Sequence, residues 1–124
     1  MTRVLVIEDD ANSREVIRAL LGELGYEVRT AANGADGLHS LHAWRPDVIL
    51  LDLFMPDMDG WEFRREQEGM GELATIPVVL LSAAADLRAH GRALEAAAVV
   101  EKPVDIRSLA RTVEAVVGQG KPTG

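Results

Sequence analysis

Cysteine is absent from the 124 residues. Disulfides, zinc–thiolate sites, iron–sulfur clusters and thiol nucleophiles are therefore excluded. Aromatic residues are scarce, at 4%, although hydrophobic residues make up 48%. Basic residues are outnumbered, 13 against 20 acidic, which leaves a net charge of −7. A chain of that sign is a poor general binder of nucleic acid, whose phosphates call for Lys and Arg, and it is repelled by anionic membrane surfaces. Long hydrophobic runs are missing too. Val4 to Ile7 stops at Glu8, Asp9 and Asp10, and Val48 to Leu51 stops at Asp52. Neither makes a signal-peptide core or nears the ~20 apolar residues of a membrane span. The length suits one domain with its own core, and the apolar content is too high for a disordered acidic segment. These features read as one soluble domain, expected in the cytoplasm.

What is present is an alternation of short strands and helices. Val4–Ile7, Val48–Leu51 and Val78–Leu81 are apolar without a period, the pattern of strands buried on both faces. Tyr26–Ala31 alternates, as a half-exposed edge strand does, and Val99-Val100 is a short last strand. Between them, Val16, Ile17, Leu20, Leu21 and Leu24 recur at helical spacing, with Asn12 and Glu15 able to cap the start and Gly25 the end. Asn33-Gly34 turns into a helix that Pro46 ends. Trp61–Glu68 reads as a third helix, 69–75 as a loop, 86–98 as a weaker helix containing Gly91, and Ile106 to Val117 as an amphipathic last one. Five strands alternating with five helices predict an α/β fold: a doubly wound parallel sheet of order 2-1-3-4-5. The domain is expected over 1–118, with a polar tail at 119–124.

In such sheets function gathers beyond the carboxyl ends of the strands. There lie Glu8, Asp9 and Asp10 after the first strand, Asp52 after the third, Ser82 after the fourth, and Glu101, Lys102 and Pro103 after the fifth. Singly, each has an ordinary use in a cap or turn. Together, the carboxylates would raise one another's pKa unless positive charge joins them. Mg²⁺ and a lysine would supply it, since the donors are all oxygen and neither His nor Cys is near. A carboxylate in such a site can attack phosphorus and hold an aspartyl phosphate, with the Ser82 hydroxyl on the phosphoryl group.

Four pieces carry a resemblance: Val4-Leu5-Val6-Ile7-Glu8-Asp9, Asp52-Leu53-Phe54-Met55-Pro56-Asp57-Met58-Asp59-Gly60, Leu81-Ser82-Ala83 and Lys102-Pro103. From about Arg3 to Val117 the chain resembles the receiver domains of bacterial two-component response regulators, of the stand-alone chemotaxis type. The resemblance implies a flavodoxin-like fold with Asp52 as phosphoacceptor. It implies Asp9 as direct Mg²⁺ ligand, Glu8 acting through water, and Phe54 lending its backbone carbonyl. Ser82 would be the switch hydroxyl and Lys102 the phosphoryl contact. A cis Lys102–Pro103 bond is implied, and Gly60 is expected for its turn geometry; Asp10 reads as helix-start chemistry. The implied donor is a histidine kinase or phosphotransfer protein, and the output a protein surface on the last two helices. Nucleic acid and membrane are not expected partners, and the state is monomer or weak phosphorylation-dependent dimer. With Met1 just before the first strand and a short tail, no DNA-binding output domain is expected.

The chain departs from the family pattern in four places. Val99 stands where receivers usually carry Tyr or Phe, with Glu95-Ala96 in place of the common Gly-Ala. Signalling is then expected to lean on displacement of the helix over 86–98. Phe54 and Ala84 occupy the positions that help orient the hydrolytic water, which predicts slow self-dephosphorylation. Two other functions share the architecture. A small Mg²⁺-dependent phosphohydrolase would use Asp52 as nucleophile but lacks a carboxylate at Phe54. A flavodoxin-like cofactor binder would meet phosphate repulsion from Glu8-Asp9-Asp10. His39, His42 and His90 read as surface residues, Trp44 and Trp61 as packing, and Arg88, Arg92, Arg107 and Arg111 as a solvated face.

Overall fold

Alternate residues of each central strand serve opposite faces of one sheet, which is why those runs are apolar without a period. The computed structural model describes residues 1–55, 57–83, 85 and 87–120. Its strands are β1 (Arg3–Ile7), β2 (Glu27–Ala31), β3 (Val48–Asp52), β4 (Val78–Ser82) and β5 (Ala98–Glu101). Its helices are α1 (Ala11–Glu23), α2 (Gly34–Ala43), α3 (Gly60–Glu68), α4 (Leu87–Ala93) and α5 (Ile106–Gly120). All strand pairs are parallel, in the order β2-β1-β3-β4-β5 that the alternation predicts. β2 is an edge strand of alternating exposure, one residue shorter at its start than read from sequence.

Val4 and Val6 join Ile17, Leu21, Leu50 and Leu109 in a core beneath α1 and α5. Leu5 and Ile7 join Leu41, Ile49, Leu51 and Phe63 in a second core beneath α2 and α3. A smaller third core holds Leu53, Leu80, Leu87 and Leu94, with half-buried Trp61 and Val99 against it. Each fully buried aliphatic side chain contributes about 1.5–3 kcal/mol, so these layers, more than any polar contact, hold the sheet. No helix among the described residues is long and apolar enough to cross a membrane.

Helix ends depart from expectation in instructive ways. α1 is capped by Asp10, whose carboxylate accepts the Ser13 N–H at 2.9 Å, and not by Asn12 with Glu15, which lie inside the helix. Gly25 takes the left-handed step after α1 (φ 96°), with the Tyr26 N–H reaching back to the Leu21 carbonyl. α2 begins on Asn33 and stops at Ala43. Trp44 therefore lies past the helix, buried, with Arg3 and Arg29 guanidinium groups 5.4 and 5.0 Å from its ring centre. The expected loop at 69–75 contains a 3₁₀ turn over Gly71–Thr75.

The helix expected over 86–98 is far shorter. Glu95 turns left-handed (φ 55°), its N–H bonds the Arg92 carbonyl, and the Ala96 N–H bonds that of Gly91. This repeats the stop at Gly25 without a glycine to announce it. Asp86, the expected first residue, lies outside the described residues. Arg64 of α3 braces the same end, donating to the Leu94 carbonyl at 2.9 Å and to the Glu95 carbonyl at 3.4 Å. It also donates to buried Gln67, whose amide bonds the Leu73 and Ile76 carbonyls. Gly91 sits mid-helix because the helix lies close on β5: a Cβ there would be 2.4 Å from Val99 Cγ1. α5 carries on to Gly120, so the boundary expected at 118 falls in its last turn; residues 121–124 lie outside the described residues.

Candidate functional site

The parallel register delivers the polar positions to one edge. Ile7 is level with Leu51, Asp52 with Leu81, and Ser82 with Glu101. Glu8, Asp52, Ser82 and Lys102 therefore meet where β1, β3, β4 and β5 end. Carboxylate oxygens of Glu8, Asp9 and Asp52 all lie within 4.8 Å of one another. Glu8 and Asp52 are buried and Asp9 is exposed. The Lys102 ammonium donates to both Glu8 oxygens, at 2.9 and 3.0 Å, and stands 3.4 Å from Asp52 Oδ1. Its backbone N–H bonds the carbonyl of Ser82, itself buried, at 3.0 Å, and the Lys102–Pro103 peptide is cis as the resemblance implies.

Burial raises the Asp52 carboxyl to about 7, reinforced by hydrogen bonding and charge from Glu8; Lys102 opposes the rise. Burial works against the Lys102 charge, but Glu8 and Asp52 outweigh it and lift that pKa. Three carboxylates thus face one ammonium. An all-oxygen donor set with a surplus of negative charge fits a hard dication such as Mg²⁺. Asp9 and Asp52 could hold it, with Glu8 one step behind because both its oxygens are engaged by Lys102.

One contributor was not read from the sequence. Arg14 of α1 donates to the backbone carbonyls of Glu8 at 2.8 Å and Asp9 at 3.4 Å, holding the turn that carries the acidic pair. No motif announces it, because its partners are main-chain atoms. Asp10, by contrast, is used as the α1 cap, as expected.

The loop from β3 to α3 closes through Gly60, whose N–H bonds the Leu53 carbonyl at 2.8 Å. Gly60 has no left-handed backbone angle; a Cβ there would stand 3.1 Å from Leu53 Cα, so close approach of the backbone disfavours a side chain. Among the described residues of this loop Asp57 is left-handed (φ 68°), and Asp59 caps α3 through the Glu62 N–H. Pro56 and Ala84 lie outside the described residues.

Phe54 is 59% exposed and meets the His90 ring edge-on, centroids 6.4 Å apart. His90 in turn meets Trp61 edge-on at 5.3 Å. His90 is thus half-buried in a ring cluster that reaches the β3–α3 loop, which corrects its reading as a surface residue remote from the site. His39 and His42 are exposed as expected. Arg88, Arg92, Arg107 and Arg111 are exposed and show no ion pair with another described residue.

The chain matches the family described as the response regulator receiver domain over residues 4–114. Protein PilH of Pseudomonas aeruginosa is 30% identical over 119 residues, covering 94% of this chain and 98% of PilH. Transcriptional regulatory protein AfsQ1 of Streptomyces coelicolor is 38% identical over 123 residues, covering 98% of this chain. The chain spans about half the length of several such relatives: 53% of AfsQ1 and 45% of the probable transcriptional regulator ycf27 of Guillardia theta. Among solved structures, chemotaxis protein CheY4 of Vibrio cholerae superposes with TM-score 0.86 at 30% identity, covering 94% of this chain and 98% of that one. The signal receiver domain of a histidine kinase from Syntrophus aciditrophicus superposes at 0.87 with 34% identity, covering 100% and 96%.

Proposed function

The chain belongs to the response regulator receiver family of two-component signalling, and on that footing we propose that Asp52 is its phosphoacceptor. The donor is the phosphohistidine of a histidine kinase or phosphotransfer protein. The observation that carries this reading is the ammonium of Lys102, held against Glu8 and 3.4 Å from Asp52 Oδ1.

In the transfer, an Asp52 oxygen forms a bond to phosphorus as the P–N bond breaks, and its electron pair returns to the imidazole nitrogen. Asp52 must be ionised to attack, yet burial and Glu8 hold its proton near neutral pH. Positive charge beside it is therefore a requirement. Lys102 supplies part and is placed to meet the incoming phosphoryl oxygens. Asp9, Asp52 and the backbone carbonyl of Phe54 would hold Mg²⁺, with Glu8 acting through water. When bound, that ion supplies neutralisation of charge on the phosphoryl oxygens. The Ser82 hydroxyl, at the end of β4, would donate to a phosphoryl oxygen.

The output is a protein-interaction surface on α4, β5 and α5, in the cytoplasm. Phe54 offers no polar group to orient a hydrolytic water, which supports a long-lived phosphoryl group. Intact mass after treatment with a small phosphodonor and Mg²⁺ tests the assignment. One added phosphoryl group is expected, absent in Asp52→Ala and absent when the metal is chelated. Uptake undiminished in Asp52→Ala would refute it.

A further inference from the structure

We infer that His90 is a positioning residue of the Asp52 pocket: its imidazole, edge-on to both Phe54 and Trp61, ties the β3–α3 loop to α4. The inference rests on the receiver reading above and names how that site is regulated.

Phe54 follows Asp52 of the acidic cluster by two residues, in the loop that leaves β3. Its ring does not enter a core. It is 59% exposed, and among the described residues the ring it meets is that of His90. Trp61 gives His90 a firm backing, because the indole packs on the core of Leu53, Leu80, Leu87 and Leu94. The two ring pairs, at 6.4 Å and 85° and at 5.3 Å and 82°, both have the edge-to-face geometry that aromatic quadrupoles favour. One imidazole thus joins three segments that are separate in sequence: the loop after β3, the start of α3, and α4.

The placement matters because the packing of β5 on α4 at Val99 carries no ring. Val99, on β5, is an aliphatic group seated against Gly91 of α4. It fills space and has no ring to turn. The Phe54–His90 contact links the pocket loop to α4. A change in the pocket that moves the Phe54 loop then changes what His90, and with it α4, rests against. By linkage, a protein seated on α4 changes the pocket to the same degree.

Four variants test this: Phe54→Ala, His90→Ala, the two combined, and His90→Phe, which keeps a ring edge in place. One measurement uses no phosphoryl transfer at all. Titration with Mg²⁺ alone is expected to show roughly two- to tenfold weaker binding in each Ala variant, the size of one aromatic pair. The double variant should bind no more weakly than Phe54→Ala, and His90→Phe should return towards the parent. In the second measurement, Mg²⁺ with beryllofluoride is expected to alter amide exchange over 87–93 in the parent, and a parent that binds both without that change would overturn the inference. That response should shrink at least twofold in both Ala variants, while exchange over 78–82 is unmoved. Additive losses in the double variant would overturn the inference, as would His90→Ala matching the parent in both measurements. A parent that binds neither Mg²⁺ nor a phosphoryl group overturns the receiver reading itself, and this inference with it.

Discussion

Gly91 on α4 and Val99 on β5 stand so close that a Cβ on residue 91 would lie 2.4 Å from Val99 Cγ1. Two effects oppose each other in Gly91→Ala. Alanine favours the helix by about 0.8–1 kcal/mol. Forcing a methyl into a filled contact costs about 1–3 kcal/mol. The steric cost wins, and a net loss of about 1 kcal/mol is expected in urea unfolding. Adding Val99→Ala should relieve the clash, making the double variant more stable than the sum of its singles.

The raised Asp52 carboxyl makes stability pH-dependent. Its folded pKa of about 7 lies above the ordinary value of 3.8. Between those values the native state keeps a proton that the unfolded chain has released, so stability falls as pH rises and levels off above about 7. Asp52→Asn should flatten that fall and be more stable than the parent by roughly 1–3 kcal/mol at pH 8 without metal. Adding Mg²⁺ should stabilise the parent and leave Asp52→Asn nearly unchanged. Thermal melts across pH 4–8, with and without Mg²⁺, check both.

Gly60→Ala meets backbone, not a side chain that can swing aside. The new methyl would sit 3.1 Å from Leu53 Cα and 3.2 Å from its carbonyl oxygen. The β3–α3 loop must shift by a few tenths of an ångström to admit it. A stability loss of about 1–2 kcal/mol is expected. Mg²⁺ should also bind more weakly, because the same loop carries Phe54. Calorimetric titration with Mg²⁺ separates the two effects.

Glu95→Gly should stabilise. The residue is exposed and left-handed at φ 55°. That conformation costs an L side chain about 1–2 kcal/mol. Glycine avoids it but loses about 0.5–1 kcal/mol through a freer unfolded chain. A net gain of about 0.5 kcal/mol is expected in urea unfolding. The carbonyl that Arg64 binds is kept.

The sheet and the cluster were legible because both depend on local pattern. Runs such as Val48–Leu51 need two buried faces, and an acid directly after such a run is carried to the sheet's edge by register alone. What stayed hidden depends on contacts between distant segments. The stop of α4 at Glu95 needed a left-handed residue that glycine usually supplies. The reason for Gly60 lay in its approach to Leu53, seven residues earlier in the chain. His90 is tied to the pocket through Phe54, and nothing in the spacing of the two residues signals it. Asn12 and Asp10 both have side chains able to cap, and the helix starts at Ala11 with Asp10 as its cap.

Arg64 fastens the end of α4 that lies farther along the chain from Ser82, through the Leu94 and Glu95 carbonyls. A helix of seven residues is a rod about 10 Å long. Clamped at its carboxyl end, such a rod pivots there and sweeps widest at the other. Any tilt mild enough to spare the Arg64 bonds therefore displaces Leu87 and Arg88 most and Arg92 least. A partner that senses the state of the pocket has most to read at the amino-terminal turn of α4.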